Sequence, residues 1–167
     1  MEPFDSYPAS LRDHPRCLRG GSCRTGYGLR FQQITGQTKC AYCGLDMAGS
    51  YGNWLHMTLD HVIPSYLAHR EGWHPWVDNA NNLVLCCSAC NAFLNGFRIN
   101  ASEAAPSNWD EFTRLRDSLF ARKKEQALQR HQHERRAFER RPWEKELDPS
   151  TLPIAGPQRV AEERGNR

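Results

Sequence analysis

Two pairs of cysteines stand at a spacing that suits one metal ion, Cys40-Ala41-Tyr42-Cys43 and Cys87-Ser88-Ala89-Cys90. A Cys-x-x-Cys turn lets two thiolates reach the same ion, and four thiolates close a tetrahedral zinc shell with no open position. Such a site is structural; a redox dithiol or buried free thiols are the other reading. Inside this frame lie Asp60-His61 and Asn82, and Asn91 follows its last cysteine. Those polar residues can hold a second metal and do chemistry. A histidine suits proton transfer because its pKa lies near working pH.

The elements that must position these groups are short. Leu55, Met57 and Leu59 alternate with His56, Thr58 and Asp60, which predicts a strand over 54–62 ended by Pro64. Residues 65–81 read as a long loop packed by its own aromatics, around Trp73-His74-Pro75-Trp76. Leu83 to Cys86 reads as an apolar strand, and Ser88 to about Phe97 as a helix with Gly96 as terminator. Residues 1–30 read as an irregular arm, and 31–105 as the core. Within 106–145, Trp109, Phe112, Leu115 and Leu119 recur at helical spacing, up to Pro142. Residues 146–167 are expected to be disordered. The fold class is α+β.

The chain has 167 residues, 39% of them hydrophobic, and seven cysteines. A small core of this kind usually needs a staple, and zinc coupled to folding contributes about 10–16 kcal/mol in small fingers. Cys86 reads as a small buried hydrophobe. His14, Cys17 and Cys23 leave open whether a second metal binds, with free thiols in the arm as the alternative. No apolar run approaches a membrane span and no secretory signal is visible, so a cytoplasmic protein with no membrane partner is expected.

From Cys40 to about Gly96 the chain resembles an HNH endonuclease of the zinc-framed type, with the ββα-metal fold. The matching pieces are Cys40-x-x-Cys43, Leu59-Asp60-His61-Val62-Ile63-Pro64, Asp78-Asn79, Asn82-Leu83-Val84-Leu85 and Cys87-x-x-Cys90-Asn91. They span about a third of the chain, and the pattern is specific only in combination. The resemblance implies a metal-dependent DNA endonuclease with His61 as general base. Asp60 and Asn91 would offer oxygens to one Mg²⁺ or Mn²⁺. Asn82 would clamp the loop against the strand and orient His61; Asp78 and Asn79 either do the same or form a plain turn. Asn91 has a helix cap as its bland reading. The chain departs from the pattern in having Asn91 where histidine is frequent. It also has no Lys or Arg between Asn91 and Arg98, which leaves Arg98 or Arg70 as substitutes for the phosphate contact.

The formal charge is +3, and residues 110–145 carry the excess, eleven Lys/Arg against seven Asp/Glu. The expectation is a basic helix that packs on the core and then tracks a nucleic-acid backbone with Arg122, Lys123, Lys124, Arg135 and Arg136. A solvated helix, a homodimer contact and a protein partner are the other uses of that helix. Two further readings stand beside the nuclease: a zinc-framed nucleic-acid-binding module without activity, and a subunit of a larger complex.

Overall fold

The computed structural model describes residues 3–13 and 21–144. At its centre Leu83–Cys87 (β2) is buried at every position, as its unbroken apolar run requires. It pairs antiparallel with Met57–His61 (β1), Met57 opposite Cys87 and His61 opposite Leu83. The pairing continues one residue beyond the strand, where the Val62 amide donates to the Asn82 carbonyl at 2.8 Å. Ser88–Phe93 (α4) follows β2 directly and packs on both strands.

The strand is shorter than the alternation predicts. Ser50 is extended (φ −158°, ψ 160°) and its side chain accepts from the Asn53 amide, so Tyr51–Leu55 forms a helical turn (α2). The local cap outcompetes the period-two pattern at Trp54 and Leu55.

Residues 3–13 and 21–30 carry more regular structure than the expected irregular arm. Tyr27–Thr35 is a helix (α1) that buries Gly28, Phe31 and Thr35 and ends at Gly36 with φ 69°. Gly28 is required there, because a Cβ would lie 2.4 Å from Cys23 Sγ and 2.5 Å from the Cys23 carbonyl oxygen. Pro3–Ser6 and Ala9–Asp13 form 3-10 turns. Leu11 is fully buried, and the Tyr7 hydroxyl donates to the Leu83 carbonyl at 2.6 Å. Burial pushes the Tyr7 phenol well above its ordinary range. The described parts of the arm therefore reach the core, and a helix that starts in the arm at Tyr27 runs on to Thr35.

The segment 65–81 contains a 3-10 turn at Ser65–His69, a helical turn at His74–Val77 (α3) and the start of another 3-10 turn at Ala80–Asn82. It buries Leu67, Trp73 and Val77, in line with a loop packed by its own aromatics. Trp109–Glu139 is one helix (α5). The Asn108 side chain caps it by accepting from the Glu111 amide at 3.0 Å. Its buried stripe is Phe112, Arg116, Leu119, Phe120, Lys123 and Ala127, so two cations share the apolar face.

The chain divides into two units, Met1–His133 and Glu134–Arg167. In the second, the Phe138 and Trp143 rings lie 5.0 Å apart and Arg141 pairs with Glu144 at 2.6 Å. The expected disordered tail, 146–167, lies outside the described residues, as do His14 and Cys17. Among the described residues no helix is long and apolar enough to cross a membrane.

Candidate functional site

The first half of the frame is a knuckle. The Cys40 amide donates to the Leu45 carbonyl at 2.8 Å, and the Gly44 amide to the Cys40 carbonyl at 2.9 Å. Gly44 closes the turn at φ 77°, a conformation a side chain would resist. The Ala41 amide donates to the Leu85 carbonyl at 2.8 Å, fastening the knuckle to β2. The second half starts at the end of β2, where Cys87 is the N-cap of α4 and Cys90 lies on its first turn.

Fold and sequence spacing therefore converge on one point. The sulfurs of Cys40, Cys43, Cys87 and Cys90 all lie within 4.8 Å of one another. Cys43 Sγ and Cys87 Sγ are 3.8 Å apart, and tetrahedral sulfurs at about 2.3 Å from zinc are separated by about 3.8 Å. Hydrogen bonding from the Cys43 thiol holds the Cys40 thiol well below its ordinary range. Four thiols this close favour shared charge, which a cation resolves. The cluster is compatible with a structural zinc site.

Two cysteines stand apart from it. Cys86 is fully buried, beside the Thr58 hydroxyl at 3.1 Å, and burial pushes its thiol well up. It is the small buried group the sequence suggests. Cys23 is half-buried, and among the described residues it joins no metal-binding cluster.

Beside the frame, a cleft of about 260 Å³ is lined by Asp60, His61, Asn91, Asn95, Arg98 and Lys123. Asp60 and His61 end β1, and Asn91 comes from α4. Three of the residues singled out from sequence thus share one cavity. Asn82 lies behind it, fully buried. Its Oδ1 accepts from the Ile63 amide at 2.7 Å, and its Nδ2 donates to the Ile63 and Val77 carbonyls at 3.0 Å each. This is a clamp between the loop and the end of β1, two residues past His61. Asn79 caps its own turn by accepting from the Asn81 amide at 2.9 Å. Asp78 lies 3.3 Å from His74.

Among the described residues Asp60 has two donors, and both meet Oδ2: the Tyr42 hydroxyl at 2.5 Å and Lys123 Nζ at 2.8 Å. Lys123 Nζ also donates to the His61 carbonyl at 2.6 Å. Burial holds the His61 imidazole below its ordinary range, with the Lys123 ammonium acting in the same direction and Asp60 and Asp78 opposing. The neutral ring, which can accept a proton, is the favoured form.

Lys123 departs most from expectation. The expectation groups it with Arg122 and Lys124 as a nucleic-acid contact; its side chain is 3% exposed. Arg122 is half-buried and pairs with Glu103 at 2.7 Å. Lys124 lies over the Phe120 ring. Arg98 donates to the Asn95 and Phe97 carbonyls and stacks on Tyr66 at 5.1 Å. Arg135 and Arg136 are exposed.

Three contacts escaped the sequence reading. Tyr42, inside the first Cys-x-x-Cys, is buried and carries no spacing signal toward Asp60. His131 Nε2 lies 3.1 Å from Cys90 Sγ, an outer contact to the sulfur cluster from α5. For Lys123 a signal existed, since it falls one helical turn after Leu119 and one before Ala127 on the buried stripe.

No family model, no curated protein and no solved structure matches this chain.

Proposed function

We propose that the protein is a metal-dependent endonuclease that hydrolyses DNA phosphodiester bonds, built on a ββα-metal core. The observation that carries this reading is the meeting of Asp60, His61 and Asn91 in one cleft beside the four-sulfur cluster. A structural zinc module has no need of that set. The order β1, β2, α4, with the antiparallel pair directly followed by the helix, supports the same reading.

In this mechanism the neutral His61 imidazole takes a proton from the attacking water. Asn82 keeps the end of β1 in place through Ile63, so the base sits on a rigid element. Asp60 and Asn91 would hold a Mg²⁺ or Mn²⁺ ion. The donor set fits, a carboxylate and an amide in a polar cleft, and among the described residues both donors to Asp60 meet Oδ2 alone. Such an ion, when bound, offsets charge at the phosphate and the leaving oxygen. Cys40, Cys43, Cys87 and Cys90 would hold structural Zn²⁺ and keep β2 and α4 at the cleft.

The test is plasmid cleavage by purified protein with added Mg²⁺ or Mn²⁺, wild type beside His61→Ala. Nicked or linear product from the wild type alone is the expected result. No cleavage by either protein, across metals and salt, moves the reading to a nucleic-acid-binding module.

A further inference from the structure

We propose that Lys123 is a substrate-binding residue of the cleft, its ammonium meeting a non-bridging oxygen of the phosphodiester to be cut. This rests on the nuclease reading and names a group that the motif residues do not include.

The first support is position. Lys123 comes from α5, far along the chain from the motif, yet its Nζ lies 2.8 Å from Asp60 Oδ2 and 2.6 Å from the His61 carbonyl. It therefore touches the proposed cation ligand and the backbone of the proposed base, and it lines the cleft that holds them. An ammonium has three donors. Two are used by Asp60 and His61; the Phe97 ring lies 5.4 Å from Nζ, and no third hydrogen-bond acceptor meets it among the described residues.

The second support is that packing does not explain a lysine here. The position sits on the buried stripe between Leu119 and Ala127, where an apolar residue would serve. A buried ion pair is often no more stabilising than well-packed hydrophobic residues in its place. A cation held at the floor of a polar cleft is instead the kind of group that binding and catalysis use.

The third support is charge. The helix bearing Asn91 supplies no cation, because Ala92 to Phe97 are all uncharged. Arg98, the other cation on the cleft, already gives Nη1 to two backbone carbonyls. Hydrolysis of a phosphodiester builds negative charge on the non-bridging oxygens, and a fixed donor aimed there stabilises the transition state. Lys123 reaches the cleft from α5 and supplies that donor.

The experiment compares Lys123→Met and Lys123→Arg with wild type, zinc content being measured on each protein. Two readouts are used: plasmid cleavage in Mg²⁺ or Mn²⁺, and the salt dependence of duplex DNA binding with His61→Ala present throughout to prevent turnover. Lys123→Met should lose about 10²–10³-fold in cleavage, the loss typical of one transition-state donor. It should also lower the slope of log K against log salt by about 1, as loss of one phosphate contact does. Lys123→Arg should recover part of both, which a purely internal ion pair gives no reason to expect of the slope. If Lys123→Met releases zinc, Lys123→Gln, which keeps a donor to Asp60, takes its place in both assays. Cleavage and slope both unchanged in the neutral variant overturn the proposal and leave the nuclease reading standing. Wild type inactive with a reduced slope in the variant overturns the nuclease reading and keeps the phosphate contact. Wild type inactive with an unchanged slope overturns both.

Discussion

The four-sulfur frame and the cleft beside it share β2 and α4 as neighbours but are built on opposite principles. The frame uses four chemically identical groups, each pair delivered by one turn, with sulfurs within 4.8 Å of one another. Cys40, Cys87 and Cys90 are buried and Cys43 is half-buried. The cleft collects a carboxylate, an imidazole, two amides and two cations from β1, α4, α5 and the chain after α4. The difference separates two demands. A site that holds the chain together must be closed and tolerate no missing ligand. A site that acts on a substrate must keep polar groups exposed to it and rely on other parts to hold them.

That division can be broken at either site. Cys43→Ser should have the largest effect, because zinc bound to small folded sites contributes about 10–16 kcal/mol to folding. The variant should lose stoichiometric zinc and its cooperative thermal transition; a stable, zinc-loaded Cys43→Ser protein would refute the structural role of the frame. His61→Ala should do the reverse. If His61 is the base proposed above, cleavage should fall about 10²–10⁴-fold, while zinc content and melting temperature should match wild type. A His61→Ala protein short of zinc would show the two sites to be one.

Asn82→Ala probes the joint between them. It leaves the Ile63 amide and the Ile63 and Val77 carbonyls without their partner, and unsatisfied buried groups cost about 1–3 kcal/mol each. Denaturant unfolding should show a loss of about 3 kcal/mol with zinc retained at low denaturant. His131→Ala is a finer probe, since outer contacts to a metal ligand are worth about 10–100-fold in affinity. Competition with a chromophoric chelator should show weaker zinc binding and an unchanged fold. The smallest effect is expected from Arg135→Ala with Arg136→Ala. Duplex DNA binding should weaken by a few-fold and lose about two units of salt slope if both meet phosphate; an unchanged slope assigns that exposed face to another use.

Much of the arrangement is legible in the chain. Leu83 to Cys86 reads as a buried strand because its apolar run has no polar break, and Trp109 onward reads as a helix because its apolar residues keep the helical period. The ends are less legible. Trp54 and Leu55 fit a strand by alternation, but Ser50 caps a helical turn there first. Tyr27–Thr35 carries only one large fully buried hydrophobe, Phe31, so its periodicity is faint, and its close approach to Cys23 shows only in the space Gly28 leaves.

The sequence by itself determined the sulfur pairs, the central strand and the grouping of Asp60, His61, Asn82 and Asn91 as candidates. Each depends on spacing within one turn or on the period of one element, and local geometry is written in local order. The tertiary structure alone decided that Tyr42 and Lys123 share one oxygen of Asp60, and that His131 lies against Cys90. Those contacts join segments whose separation along the chain carries no period. They follow from how α5 packs: Phe112 stacks on Trp76 and Phe120 on Tyr42, and the same buried stripe brings Lys123 to the cleft.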